Sequence, residues 1–283
     1  MMNMKIVKYI SLILAVVLTA SCEKNEIDYG VKPFDNLAEF QLHYFAPVTA
    51  VAANNITRVD LNGSMIANNK APLETYNAIP RGAVGRFYTV NPGTVNLKLY
   101  LTGKVNVDSL VYDQNVTLTA GKQNIFVHSF TQPPVRFDNG YPYQKRQTVT
   151  TDSTAWVKFY NFLYDTAGVP TTLRLQYQYI DYRTKALVNI GPPVKFGEST
   201  GWEKVTIVKS DLVSQGSQRV DYRIKVVDDA GNIVGDLQIR NSSGNYVSYS
   251  DYWTGYIGRW VHHVLGGMRA AAPACAVRLF YAL

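Results

Sequence analysis

An all-β architecture, arranged as two tandem β-sandwich domains, is what this sequence predicts, and three observations predict it. Apolar and polar residues alternate with a period of two in many short runs, the pattern of strands with one buried face. The 283 residues include 20 Tyr and 11 Phe but only 17% charged residues, a composition that suits pleated sheets better than helices. Turn signals punctuate the runs, and no helical repeat extends beyond two turns. The 47% apolar content excludes a disordered chain, and no apolar run reaches the roughly 20 residues of a membrane-spanning helix.

The chain begins with an address. Lys5 and Lys8 precede the largely apolar stretch Tyr9 to Ala20, which is too short to span a bilayer, and small residues follow it. Residues 1–21 therefore read as a secretory signal peptide. Leu18-Thr19-Ala20-Ser21-Cys22 resembles a bacterial lipoprotein cleavage box, with Thr19 where an aliphatic residue is usual. The resemblance implies cleavage before Cys22 and attachment of acyl chains, palmitate among them, to that cysteine. Two or more chains anchor a protein stably without a transmembrane helix. Residues 22–36 then form a tether. Its opening, Glu23-Lys24-Asn25-Glu26-Ile27-Asp28, resembles the export tag of outer-membrane lipoproteins that face the cell exterior. The expected location is thus the outer membrane, lipid-anchored and surface-exposed.

Loss of residues 1–21 removes two lysines and lowers the formal charge from +7 to +5. The basic residues are scattered, with Lys145-Arg146 the only adjacent pair, so no nucleic-acid partner is expected. Acidic surface glycans remain compatible with this balance. Cys22 and Cys275 are the only cysteines; with Cys22 acylated, Cys275 is expected to be a buried small apolar residue.

Residues 37–132 are assigned to a first domain. Phe40 to Phe45 and Val95 to Leu101 alternate, and Thr117 to Lys122 turns into Ile125-Phe126-Val127. Residues 133–153 read as a linker, broken by Pro133-Pro134 and Asp138-Asn139-Gly140-Tyr141-Pro142. Residues 154–283 form a second domain. There Trp156 to Phe162, Leu173 to Tyr177 and Val220 to Val226 alternate, and Gly266-Gly267 with Ala270-Ala271-Ala272 suggest a flexible hairpin loop before a closing strand at Val277 to Leu283. The halves resemble each other: Phe40 to Phe45 matches Val157 to Phe162, second strands start near Thr57 and Thr172, and Leu97-Lys98-Leu99 corresponds to Tyr222-Arg223-Ile224.

The strand end Asp60-Leu61-Asn62-Gly63, the turn Pro92-Gly93-Thr94 and the turn Leu118-Thr119-Ala120-Gly121 resemble the lipoprotein family known as domain of unknown function 4397. The opening Tyr44-Phe45-Ala46-Pro47 matches that family's first motif only in part. The resemblance spans about residues 38–130 and, more faintly, 155–283. It implies immunoglobulin-like sandwiches at a cell surface and no known chemistry.

No catalytic residue and no cofactor is expected. His43 and His128 sit within alternating strands, where they read as wet-face or pocket residues, and no nucleophile elbow accompanies them. His262 and His263 are adjacent, so a strand would point them to opposite faces and could not aim both at one metal. Asp228-Asp229 lies in a turn context without the alternating ligands of a calcium loop. The stronger lead is aromatic: Tyr252, Trp253, Tyr256 and Trp260 form a candidate ligand-binding cluster, able to stack on sugar rings. Packing across strands is the competing explanation. The sequence thus predicts a non-catalytic surface lipoprotein acting in adhesion, binding or surface assembly, with a protein or a glycan as partner. The alternative is a glycan-binding member of a polysaccharide-uptake system.

Overall fold

A computed structural model describes residues 36–81, 85–102, 108–138, 154–208, 217–270 and 275–282. Among these residues, nine strands make the first half: β1 (Ala38–Tyr44), β2 (Arg58–Leu61), β3 (Ser64–Ala67), β4 (Asn77–Ile79), β5 (Tyr88–Val90), β6 (Gly93–Thr102), β7 (Asp108–Leu118), β8 (Gly121–Val127) and β9 (Val135–Asp138). Twelve make the second: β10 (Thr154–Thr166), β11 (Val169–Pro170), β12 (Arg174–Ile180), β13 (Leu187–Val194), β14 (Glu203–Thr206), β15 (Ser217–Val227), β16 (Ile233–Asp236), β17 (Gln238–Arg240), β18 (Tyr246–Ser248), β19 (Ser250–Tyr256), β20 (Trp260–Met268) and β21 (Ala276–Tyr281). Apart from one 3₁₀ turn at Ala52–Asn54, the regular structure described is all β.

One pairing plan is used twice. In the first half, one sheet runs β4-β1-β8-β9 with β5 also on β1, and its partner runs β3-β2-β6-β7. In the second, one sheet runs β11-β10-β20-β21 with β14 also on β10, and its partner runs β13-β12-β15-β16 with β19 also on β15. The opening strand of each half pairs in parallel with a late one, β1 with β8 and β10 with β20. In each half the two sheets enclose a core. Phe40, Leu42 and Tyr44 meet Val59, Leu97, Leu99 and Tyr112 in one. Val157, Phe159 and Leu163 meet Tyr177, Tyr222, Ile224 and Trp253 in the other. The halves resembling each other in sequence thus follow one topology, and residues 35–283 form one compact unit.

Local chemistry explains several boundaries. Asn62 and Gly63 both take positive φ, 49° and 79°, which closes the two-residue turn between β2 and β3 at little steric cost. The Pro133-Pro134 stretch is not wholly a linker, because β9 adds Val135–Asp138 to the edge of the first half. Residues 139–153 of that expected linker lie outside the described residues.

The alternating strands were expected to keep one wet face, and here the structure differs. β1, β10 and β20 are buried on both sides. A third cluster lies between the halves: Phe45, Tyr76 and Phe126 from the first pack on Tyr160, Phe162 and Val264 from the second. The second face of these strands carries aromatic and amide groups, and the other half covers it. Parallel-paired strands are characteristically buried in this way. Gly266 belongs to the same contact. The expected flexible loop there is the strand β20, and a Cβ on Gly266 would come within 2.5 Å of the Phe45 ring. The glycine permits a close approach rather than a loop.

Candidate functional site

Two polar constellations stand out, one sealed and one open. The sealed one lies in the contact between the halves. His43 on β1, Asn124 on β8, and Tyr160 and His262 on β10 and β20 form a chain of hydrogen bonds. In one self-consistent assignment, His43 Nε2 donates to Asn124 Oδ1 (2.9 Å), the Asn124 amide donates to His262 Nε2 (3.3 Å), and His262 Nδ1 donates to the Tyr160 hydroxyl (2.8 Å). That chain requires a neutral His262, whose Nε2 accepts. Protonating His262 would set a donor against the Asn124 amide. Burial lowers the His43 pKa to about 4 and holds His262 well below its usual value, with His43 and Lys158 adding to the effect on His262. Phe126 stacks on His43 at 4.4 Å and on Phe162 at 4.7 Å, so the chain is walled by aromatic rings. Nearby, His128 Nδ1 bonds to the Tyr164 hydroxyl at 2.9 Å, and burial lowers its pKa as well.

His43 and His128 are therefore neither wet-face nor pocket residues: His43 is wholly buried and His128 nearly so. His262 and His263 point to opposite faces of β20. His263 faces the second core, where its Nδ1 meets the Tyr177 hydroxyl at 2.8 Å and burial lowers its pKa to about 3. These four rings are tied into packing contacts. Lys158 lies in the same contact, donating to the Asp138 carbonyl at 3.1 Å, and burial lowers its pKa to about 8. Cys275 is buried as expected, and burial pushes its thiol up to about 12. Cys22 lies outside the described residues.

The aromatic candidates do not form one cluster. Trp253 is buried in the second core, edge-on to His263 at 5.0 Å. Trp260 belongs to the other sheet, stacked on Trp156 at 4.5 Å with Trp202 edge-on at 5.0 Å. The flat faces expected to meet a sugar are occupied at these two positions by protein. Strand alternation explains Trp253: β19 places it opposite Val220, inward, and sends Tyr252 and Tyr256 outward. Tyr256 is half-buried and Tyr252 is 50% exposed.

Tyr252 lines the open constellation, a groove of about 360 Å³ bordered by Ile180, Arg219, Asp221, Arg223 and Ser250. The register of β15 against β19 puts Asp221 opposite Tyr252 and Arg223 opposite Ser250, on the outward face. Arg219 donates from Nε and Nη2 to Asp221 Oδ1 at 2.9 and 2.7 Å, and its guanidinium lies 3.9 Å from the centre of the Tyr252 ring. The arrangement presents an aromatic face, guanidinium donors, a carboxylate and a hydroxyl side by side. Sequence reasoning found Tyr252 but missed Arg219, Asp221 and Arg223. Their spacing of two on β15 was the available signal, since it places all three on one face. Among the described residues, no group of three or more His, Cys, Asp or Glu side chains is placed to hold a metal.

No family model matches the chain, and no curated protein matches it. The resemblance to domain of unknown function 4397 is thus left untested. A solved structure described as a candidate adhesin from Bacteroides ovatus matches over 87% of this chain and 95% of its own, with 9% identity and a TM-score of 0.20. That superposition is too loose to carry fold or function across.

Proposed function

We propose that this chain is a non-catalytic lipoprotein of the outer membrane, tethered by acylated Cys22 and exposed at the cell surface, where its β-sandwich body serves adhesion, binding or surface assembly. One observation carries the binding reading: the body is closed by a buried contact between its halves, while an open polar and aromatic groove lies on an outward face. A rigid scaffold that presents a preformed groove suits recognition, because little conformational entropy is lost on binding. The resemblance to domain of unknown function 4397 belongs to this proposal and supports the surface location.

Palmitate labelling tests the tether. Cells expressing the full chain should incorporate labelled palmitate into it, and Cys22→Ala should abolish the label. Protease added to intact cells should degrade the wild-type protein, and its loss from the surface should reduce attachment to host matrix or neighbouring cells. An unlabelled mature protein, or one that protease cannot reach, would refute the surface-lipoprotein reading.

The second reading, a glycan-binding lipoprotein serving polysaccharide uptake, draws on Tyr252 beside Arg219 and Asp221. It rests on this groove rather than on the whole run of C-terminal aromatics, since Trp253 and Trp260 are engaged in packing.

A further inference from the structure

We infer that the groove bordered by Arg223 and Tyr252 binds a carboxylate-bearing sugar, such as a uronic acid unit of an acidic polysaccharide. The inference deepens the binding reading above and rests on it. The groove's volume, about 360 Å³, lies near the lower end of small-molecule sites, roughly 300–1,000 Å³, and suits a ligand of sugar size better than a protein epitope.

The charges on the outward face decide between a neutral and an anionic sugar. Arg219 is committed: Asp221 takes its Nε and Nη2, and Tyr252 takes its flat face. Asp251 also borders the groove and is exposed; its Oδ2 accepts from the buried Tyr222 hydroxyl at 3.3 Å and its charge also acts on Arg219, so this carboxylate too is engaged within the protein. Lys225, two residues beyond Arg223 on the same face, is paired with Asp236. Arg223 is half-buried and makes no hydrogen bond or close ion pair among the described residues; its charge reaches Asp236, whose carboxylate is paired directly with Lys225. A guanidinium offers a planar fork of donors matched to a carboxylate. Four residues on the outward face then divide the work. Arg223 takes the carboxylate, Tyr252 presents to the sugar's C–H groups the face of its ring that Arg219 does not cover, and Asp221 and Ser250 meet hydroxyls.

The test is calorimetric titration of the detergent-solubilised full chain with oligogalacturonate and with the same oligomer methyl-esterified, which differs in charge but keeps the sugar backbone. The acidic form should bind at least ten-fold more tightly. Arg223→Gln should erase that preference, Tyr252→Ala should weaken both forms at least ten-fold, and Tyr246→Ala, which removes an exposed ring outside the groove, should change neither. Equal affinity for the two forms, binding that survives Tyr252→Ala, or no binding of either form up to millimolar concentration would overturn the proposal. Palmitate labelling and cell attachment are read separately. If both persist while the oligomer fails to bind, the sugar proposal falls and the adhesion reading stands.

Discussion

The two halves share a strand plan and diverge where β15 meets its outer neighbours. In the first half β6 has β2 on one edge and, on the other, the single strand β7 along its whole length from Gly93 to Thr102. In the second, the equivalent β15 meets β16 over Lys225–Val227 and β19 over Ser217–Arg223, and the small β17–β18 hairpin is inserted between them. The groove is lined by β15 and by the start of β19, the strand that follows that insertion in the chain. A similar side-chain grouping also occurs in both halves with different exposure. Arg58 pairs with Asp60 and lies 4.9 Å from the Tyr100 ring, and the Asp60 side chain is 5% exposed. Arg219 pairs with Asp221 and lies over Tyr252, but the Asp221 side chain is 45% exposed. The carboxylate of the same three-residue grouping is buried in one half and faces solvent in the other. Side-chain chemistry alone does not make a site; the neighbouring strands decide whether it is open.

The largest effect should come from breaking the contact that joins the halves. Phe126 is fully buried and touches rings from both. Phe126→Ala should cost about 3–5 kcal/mol, with unfolding in urea separating into two transitions. Phe40→Ala, confined to the first core, should destabilise without separating them. If Phe126→Ala leaves a single transition of unchanged midpoint, the shared core does not couple the halves.

Acid should weaken the contact between the halves through His43 and the second core through His263. The folded pKa of His43 lies near 4 and that of His263 near 3, below the value of about 6.5 expected for an unfolded histidine. Between pH 6.5 and those values the unfolded chain takes up protons that the folded chain refuses, so stability falls as pH falls through that window. Full protonation of His43 alone costs on the order of 3 kcal/mol. Urea midpoints measured from pH 7 to 4 should decline, and His43→Leu should flatten the slope. A profile that is level across this range would contradict the neutral hydrogen-bond chain.

Gly266→Ala should cost about 1–3 kcal/mol, since the new methyl group meets Phe45 across the contact. Pairing it with Phe45→Leu should recover part of that loss in thermal melts. A tolerated alanine in the wild-type background would show the halves to be less tightly apposed than the distance implies. The smallest effect belongs to the open triad. Arg219→Gln should leave stability essentially unchanged, because both partners are exposed and solvent screens the pair. A thermal melt indistinguishable from wild type is the expected result; a clearly lowered midpoint would mean that the triad is structural rather than available.

Much of the fold was legible. The alternating runs at Phe40 to Phe45, Val95 to Leu101, Trp156 to Phe162 and Val220 to Val226 all lie on strands, apart from Phe45 at the end of β1, because period-two burial is written directly into residue order. The double glycine at Gly266-Gly267 misled, since glycine permits both loops and close strand contact, and only the neighbour reveals which. Tyr252 was found from the run of C-terminal aromatics, whereas Arg223 was not, because a lone arginine in a strand carries no local mark of its surroundings.

The sequence by itself determined the strand-rich body, the inward face of each strand and the opposed directions of His262 and His263, all consequences of pleat geometry along one chain. Tertiary structure decided what covers the second face of β1, β10 and β20, and which of the C-terminal aromatics remain outside. Those outcomes depend on contacts between residues about 80 to 140 positions apart, as between His43, Asn124 and His262, and no local pattern encodes them.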